Sequence, residues 1–165
     1  MRIFKSNRIG RSKAQTMVEF ALVLPILLMI VYGVLEVGRL ILTYSTVISA
    51  SREAARYGSA TGLNVAGDTV RYCDSAGIKA AAQNVDFIGV IEDAKITISY
   101  DSGPGTASFS ACPPDAVKSD NLIRYRIIVT VTTQFTPLAA IVPLNQIPIT
   151  SSNARTIIGS VLILP

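Results

Sequence analysis

The fold is decided by residues Ser12–Arg39, which read SKAQTMVEFALVLPILLMIVYGVLEVGR. Between Glu19 and Glu36 lie sixteen uncharged residues, Phe20–Leu35. With the apolar residues on either side, the stretch reaches about 20–25 residues, which is long enough for one helical crossing of a bilayer. A carboxylate in the middle of a membrane costs about 2.5–3.5 kcal/mol on insertion scales. Glu19 stands at the threshold of this stretch and therefore needs a physical reason.

Basic residues precede the apolar stretch and predict its orientation. Residues 1–14 contain no acidic residue and five cations, which are Arg2, Lys5, Arg8, Arg11 and Lys13. A cationic flank favours the cytoplasmic side, so we expect the N-terminus inside and the chain after Arg39 outside. The apolar run exceeds the roughly 7–15 residues of a secretory signal peptide, and no A-x-A cleavage site follows it closely. The sequence thus predicts a basic leader followed by a single membrane-spanning helix.

The net charge of +4 does not indicate a nucleic-acid partner once the charges are located. Without the five cations of the leader, the chain carries 10 basic and 11 acidic residues. Nucleic-acid binding needs a basic patch on the folded part of a protein, so we expect no nucleic-acid partner. The chain has no histidine, which excludes imidazole zinc ligands and histidine acid–base catalysis.

The sequence contains none of the common catalytic signatures. It has no G-x-S-x-G elbow, no P-loop and no G-x-G-x-x-G fingerprint. The adjacent acidic residues Glu92 and Asp93 precede a predicted strand, and we expect them to face solvent. We therefore expect a protein that is not an enzyme and that has no catalytic, cofactor-binding or metal-binding residues.

The two cysteines, Cys73 and Cys112, lie far apart and form no C-x-x-C motif. This spacing fits either a structural disulfide or two buried thiols. Both residues follow the membrane stretch, on the predicted outer and oxidising side, where a disulfide persists. We therefore expect a disulfide, which would contribute about 4 kcal/mol on the loop-entropy model.

The helical pattern continues past the membrane stretch, which predicts one long helix from Gln15 to about Ala60. Pro25 lies inside it, and we expect a kink that neighbouring groups accommodate. Four small residues recur at every fourth position and form a small-residue ridge, which consists of Thr46, Ala50, Ala54 and Gly58. Such a ridge lets another backbone approach closely. The ridge can pack against a helix of a neighbouring subunit or against the chain's own globular part. Both contacts can occur over different stretches of the helix.

From Thr61 onward the composition is that of a small mixed domain. We predict one helix and three strands, over Ser75–Val90, Ala94–Tyr100, Leu122–Phe135 and Pro148–Gly159. Apolar and polar residues alternate in the second strand, which indicates one buried and one wet face.

The predicted fold class is α+β, with a long N-terminal transmembrane helix, an antiparallel sheet of about three strands and one or two short helices. The predicted domains are the leader (1–14), the long helix (15–60) and an extracytoplasmic domain (61–165).

A cut between Ala14 and Gln15 would explain Glu19. Glu19 would become the fifth residue of the shortened chain, and the new α-amine would lie about 6 Å from it along the helix axis. A buried carboxylate is tolerable when it is paired with a cation. The amine of the same chain or of a neighbouring subunit serves equally well, and the second case would make Glu19 a register device between packed helices.

This order of features resembles type IV pilins and pseudopilins, and most closely the TadE-like family of the tight-adherence (Tad) pilus system. The resemblance rests on AQTMVEFALVLPILLMIVYGVLEVGRL (Ala14–Leu40) and on SASREAARYG (Ser49–Gly58), with a looser likeness in VTVTTQFTPLAAIVPLNQIPITSSNART (Val129–Thr156). The family usually has glycine where this chain has Ala14. An uncleaved anchor with a peripheral Glu19 therefore stays open beside cleavage by a prepilin peptidase.

The resemblance implies a structural or assembly component, a pseudopilin or minor pilin, of a Tad-type (type IVb) pilus or a related secretion system that serves adhesion in a bacterial cell envelope. Its implied partners are other pilin or pseudopilin subunits, a prepilin peptidase, the inner-membrane assembly platform and membrane lipid. The implied location is the bacterial cytoplasmic membrane, with incorporation into an extracellular pilus as a further expectation. The alternative is a single-pass membrane protein that displays a binding module outside and never polymerises.

Overall fold

The computed structural model describes residues 10–92, 95–113, 125–138 and 146–157, with side chains from Ala14 onward. The helices are α1 (Gly10–Ser59) and α2 (Ser75–Gln83), and a short 3-10 turn spans Arg71–Cys73. The strands are β1 (Ile96–Asp101), β2 (Arg126–Phe135) and β3 (Ile147–Thr156). A long apolar N-terminal helix followed by an antiparallel sheet and short helices confirms the predicted α+β class.

The chain divides into two compact units, with the boundary after Arg39. The first unit is described from Gly10 and consists of the N-terminal part of α1. Pro25 lies inside that helix, as the sequence predicted. Among the helices of the described ranges, α1 is long and apolar enough from Ala14 to Ser59 to cross a bilayer. An N-terminal helix of this kind fits a membrane anchor.

The second unit is built on a three-stranded antiparallel sheet in the order β1–β2–β3. Val129, at the centre of β2, pairs with Ile98 of β1 and with Asn153 of β3. The alternation predicted for the second strand is present, because Ile127, Val129 and Val131 are fully buried on one face. Residues 122–124 of the predicted strand lie outside the described residues, as do residues 158 and 159 of the third.

The last twenty residues of α1 belong to this second unit and help to form its core. Val47, Ala50, Ala54 and Ala55 are fully buried and form one cluster with the apolar face of β2 and with Ile78 of α2. Ser51, also fully buried, places its Oγ 2.9 Å from the Oγ of Ser151 in β3. The globular unit thus begins at Leu40, within the segment that the sequence assigned to the long helix.

Helix α2 is shorter than predicted and ends at Gln83 instead of Val90. The Asp74 side chain caps its first turn by accepting a hydrogen bond from the Gly77 amide at 3.0 Å. After the helix, the Asp86 carboxylate accepts a hydrogen bond from the Ile91 amide at 2.6 Å, and Gly89 adopts a φ of 69°. The positive φ of Gly89 is incompatible with the helical backbone that the sequence predicted as far as Val90.

Cys73 and Cys112 are joined by a disulfide, with their Cα atoms 5.5 Å apart. Cys73 ends the 3-10 turn before α2, and Cys112 lies in the loop after β1. The bond therefore links two loop segments 39 residues apart in the chain. Such a link stabilises a small unit chiefly by restricting its unfolded state.

Candidate functional site

The polar entrance of α1 is formed by Gln15 and Glu19, which lie one helical turn apart. Both side chains are exposed, and Gln15 Nε2 donates a hydrogen bond to Glu19 Oε1 at 3.4 Å. Residues four apart share one face of a helix, so Gln15 and Glu19 present one polar spot at the start of the apolar segment. The spot leaves the Glu19 carboxylate accessible to a cation outside the helix.

Beyond this spot, the helix surface is apolar on every side. Most of the large apolar side chains from Met17 to Val37 are 48–76% exposed, and Leu24 is half-buried. They include the consecutive residues Ile26 to Val31, and six consecutive positions point in all directions around a helix of 3.6 residues per turn. No described residue outside the helix covers them within this unit. A helix that is apolar all round needs lipid or other helices as its surroundings.

A second carboxylate, Glu36, is neutralised within the helix itself. It accepts a hydrogen bond from Tyr32 Oη at 2.9 Å and pairs with Arg39 Nη1 at 3.1 Å. Its side chain is only 13% exposed, against 42% for Arg39. Hydrogen bonds and a counter-charge reduce the cost of placing a carboxylate beside apolar surroundings. Sequence reasoning treated Glu36 only as the end of the apolar run, although the i−4 tyrosine and the i+3 arginine were a readable signal.

The small-residue ridge faces the protein's own core. Thr46 is 3% exposed, and Ala50 and Ala54 are fully buried. A Cβ added to Gly58 would stand 2.5 Å from the Cδ1 of Ile127, so the helix and sheet touch at that point. Of the two occupants that the sequence left open, the chain's own globular part fills this ridge. The ridge and Glu19 therefore lie in different units.

The second unit carries an ion pair between neighbouring strands, with a buried carboxylate and a partly exposed guanidinium. Arg126 of β2 donates from Nε to Asp101 Oδ1 of β1 at 2.8 Å, and the Asp101 side chain is 4% exposed. The hydrogen bonds from Arg126, helped by one from the Gly103 amide, lower the pKa of Asp101. Burial raises the pKa of Tyr100, whose hydroxyl donates to the Tyr72 carbonyl. These contacts hold the sheet and its loops together.

Within the described ranges, no cluster of three or more Cys, Asp or Glu side chains is arranged to hold a metal ion. Glu92 is 71% exposed and pairs with Lys95 at 3.2 Å. Its neighbour Asp93 lies outside the described residues. The exposed apolar helix with its polar entrance is therefore the feature of the molecule with the clearest functional meaning.

A family model described as TadE-like protein matches residues 14–56. The match begins at Ala14, contains Glu19, Pro25 and Glu36, and ends within the buried part of α1. It confirms the resemblance predicted from the sequence and associates this segment with components of the Tad pilus. No curated protein and no solved structure matches the chain.

Proposed function

We propose that this chain is a pseudopilin or minor pilin, a structural or assembly component of a Tad-type (type IVb) pilus or of a related secretion system. The observation that carries the proposal is the TadE-like match over residues 14–56, which coincides with an exposed apolar helix that begins at a carboxylate. The N-terminal unit serves as membrane anchor and as packing element. The compact unit from Leu40 onward is displayed outside the cytoplasmic membrane.

The surface of the first unit supports this role. Large apolar side chains exposed on all sides suit lipid before assembly and other helices after it, because both offer apolar contact. Exchange between these two surroundings requires that polar groups in the segment carry their own partners. Glu36 meets that requirement through Tyr32 and Arg39. Glu19 has the Gln15 amide as a hydrogen-bond partner, and in this proposal its counter-charge is a cation supplied from outside the helix.

In this proposal the cation is an α-amine created by cleavage between Ala14 and Gln15. Gln15 and Glu19 lie on one face of α1, so an amine at Gln15 of the same or a neighbouring subunit reaches the carboxylate. A prepilin peptidase supplies the cut, and the inner-membrane platform and other pilin subunits receive the processed chain. A buried carboxylate without that amine would lose its counter-charge, which makes Glu19 the residue that registers one subunit against the next.

The decisive experiment compares Glu19→Ala, Glu19→Gln and the unaltered protein in cells that assemble the pilus. We expect both variants to insert and to fold their outer unit, because removing a carboxylate makes the span more apolar. Incorporation should fall for both, with Glu19→Gln nearer to Glu19→Ala than to the unaltered protein, because the amide keeps size but loses charge. The measurement is the ratio of this protein in sheared pili to that in membranes.

Glu92→Gln is the matched control, since Glu92 is an exposed carboxylate of the second unit. Its incorporation should equal that of the unaltered protein. Equal incorporation of both Glu19 variants would contradict the register role and favour an uncleaved anchor with a peripheral Glu19. Absence of the unaltered protein from pili and from the secretion complex would favour the non-polymerising binding module.

Processing gives a separate prediction. Protein recovered from assembled pili should begin at Gln15, because the cut after Ala14 places the amine one turn from Glu19. Intact-mass and N-terminal analysis of the native protein measure this directly. A chain that still begins at Met1 in the assembled state would contradict the proposed pairing.

A further inference from the structure

The exposed face of α1 changes its chemistry inside the second unit. Between Leu40 and Tyr44 the exposed side chains are large and apolar, with Ile41 60%, Leu42 47% and Tyr44 55% exposed. After Tyr44, the exposed positions of the helix are all polar or charged, namely Ser45, Ser49, Arg52 and Arg56. The surroundings that this face requires therefore change from apolar to aqueous at Tyr44.

Strand β3 shows the same change. Ile147 and Pro148, at its start, are exposed, whereas the exposed residues from Thr150 onward are polar apart from Ala154. The apolar residues of α1 between Leu40 and Tyr44 lie next to the apolar start of β3. Leu40, Ile41 and Tyr44 line one side of a groove of about 440 Å³, and residues Ile147–Thr150 line the other.

We infer that this apolar groove is a lipid-contact surface, at which the second unit lies in the interfacial layer of the outer side of the membrane. The residues from Leu40 to Tyr44 rise about 6 Å along a helix. One interfacial layer is about 5–8 Å deep, given a hydrocarbon core of about 30 Å and a total thickness of about 40–45 Å. Tyr44 lies where the apolar face ends, and tyrosine is enriched at membrane–water interfaces because its ring is apolar and its hydroxyl polar.

The ion pair that precedes the groove in the chain is compatible with this placement. Arg39 is the residue before Leu40, and it pairs with Glu36. The Glu36 carboxylate is already hydrogen-bonded by Tyr32 and Arg39. The lipid contact of the helix can therefore continue past Glu36 to the groove. The inference rests on the membrane anchor of the proposed function and adds that the compact unit itself touches lipid.

A helix of a second copy is the other candidate occupant. The groove is lined by seven residues, whereas a stable protein–protein interface engages about 20–30 residues a side. A lipid surface needs no such minimum, because it contacts any apolar patch held at its level. The size of the groove therefore favours lipid.

Single tryptophans test the inference, since the protein has none of its own. Three full-length variants are reconstituted into vesicles of phosphatidylethanolamine and phosphatidylglycerol, with and without brominated acyl chains. Ile41→Trp reports on the groove, Leu28→Trp on the membrane span and Arg56→Trp on the polar face of the same helix. Iodide, present on both sides of the vesicle, measures contact with water.

We expect brominated lipid to quench Ile41→Trp, with an emission maximum between those of Leu28→Trp and Arg56→Trp. Iodide should quench Arg56→Trp more strongly than Ile41→Trp. Tyr44→Trp is a second groove reporter that keeps an aromatic ring, and it should behave like Ile41→Trp. Near-ultraviolet circular dichroism and an intact Cys73–Cys112 disulfide establish that each variant is folded.

Several outcomes would overturn the inference. Iodide quenching of Ile41→Trp equal to that of Arg56→Trp, with no effect of bromine, would place the groove in water. Protection of Ile41→Trp from both quenchers would mean that protein fills the groove, and loss of that protection on dilution with excess lipid would identify a second copy. If Leu28→Trp also escapes quenching by bromine, the membrane anchor of the proposed function fails; if only the groove reporters escape it, only the lipid contact fails.

Discussion

The two parts of α1 share one secondary structure and differ in the size of the side chains that they bring to their surroundings. Up to Val37 the helix presents large residues, and most of its large apolar side chains are 48–76% exposed. From Thr46 onward the side facing the sheet carries Thr46, Ala50, Ala54 and Gly58, all of them buried. Small residues let the helix backbone approach a rigid sheet closely, whereas large residues offer area to lipid or to other helices.

This difference shows that the function of each part follows from side-chain size as well as from hydrophobicity. No described residue of its unit covers the part with large side chains. In the proposed function this part contributes area for assembly, and we expect it to contribute little to the folding of the compact unit. The part with small side chains belongs to the core and contributes to folding. Paired substitutions, one in each part of the molecule, test this separation.

The largest contrast should come from removing a large apolar side chain in each region. Ile127 is fully buried, and Ile127→Ala should lower the free energy of unfolding of the compact unit by about 4 kcal/mol, through lost burial and the cavity left behind. Leu28 is 58% exposed, and Leu28→Ala should leave that free energy unchanged. Urea unfolding of the full chain in detergent, followed by near-ultraviolet circular dichroism, measures both. A comparable loss in Leu28→Ala would mean that the first unit supports the fold of the second.

A smaller contrast is expected for two glycines of the same helix. A Cβ at Gly58 would meet Ile127 Cδ1 at 2.5 Å and Ile78 Cδ1 at 3.2 Å, and both isoleucines are fully buried. Overpacking typically costs about 1–3 kcal/mol, and the better helix propensity of alanine returns up to about 1 kcal/mol. Gly58→Ala should therefore destabilise the compact unit by about 1–2 kcal/mol.

Gly33→Ala is the control for this pair, because nothing lies within 4 Å of a Cβ added there. It should not change the urea midpoint of the compact unit. A Gly58→Ala protein more stable than the unaltered chain, by the helix-propensity gain of up to about 1 kcal/mol, would show that the isoleucines shift without cost, and that the helix and sheet are not in close contact at this point.

Much of this separation was readable from the sequence, because it depends on periodicity. Alternation of apolar and polar residues in β2 predicted its buried face, and an uncharged run of sixteen residues predicted the exposed helix. The boundary after Arg39 was not readable, since apolar composition continues across it and only tertiary contact distinguishes Leu40 from Leu35. The sequence did not decide what packs against the ridge from Thr46 to Gly58, because small residues allow close approach of either a sheet or another helix.

Other features depended on contacts that no local pattern specifies. The helix predicted over Ser75–Val90 ends at Gln83, and in the loop that follows it the Asp86 side chain accepts a hydrogen bond from the Ile91 amide. The groove joins Leu40–Tyr44 to the start of β3, more than 100 residues later. Its lining was beyond sequence reasoning, because the register of β3 on β2 decides which residues meet the helix.

The smallest effect on the stability of the compact unit is expected from its Arg126–Asp101 ion pair. Arg126 lowers the pKa of Asp101 below its ordinary value of 3.8, so the pair stabilises the folded state above that value and loses this contribution as the pH falls through the lowered folded-state pKa. Asp101→Asn keeps an oxygen that accepts from Arg126 but loses the charge. Because charge-assisted hydrogen bonds exceed neutral ones by about 1 kcal/mol, the variant should be less stable by about that amount at neutral pH. The difference should shrink at about pH 2.5, which urea midpoints at both pH values measure. Glu92→Gln, at an exposed carboxylate, is the control and should differ little in stability from the unaltered chain at either pH. If Asp101→Asn is less stable by the same amount in acid as at neutral pH, the core requires the shape of the side chain at this position and not its charge.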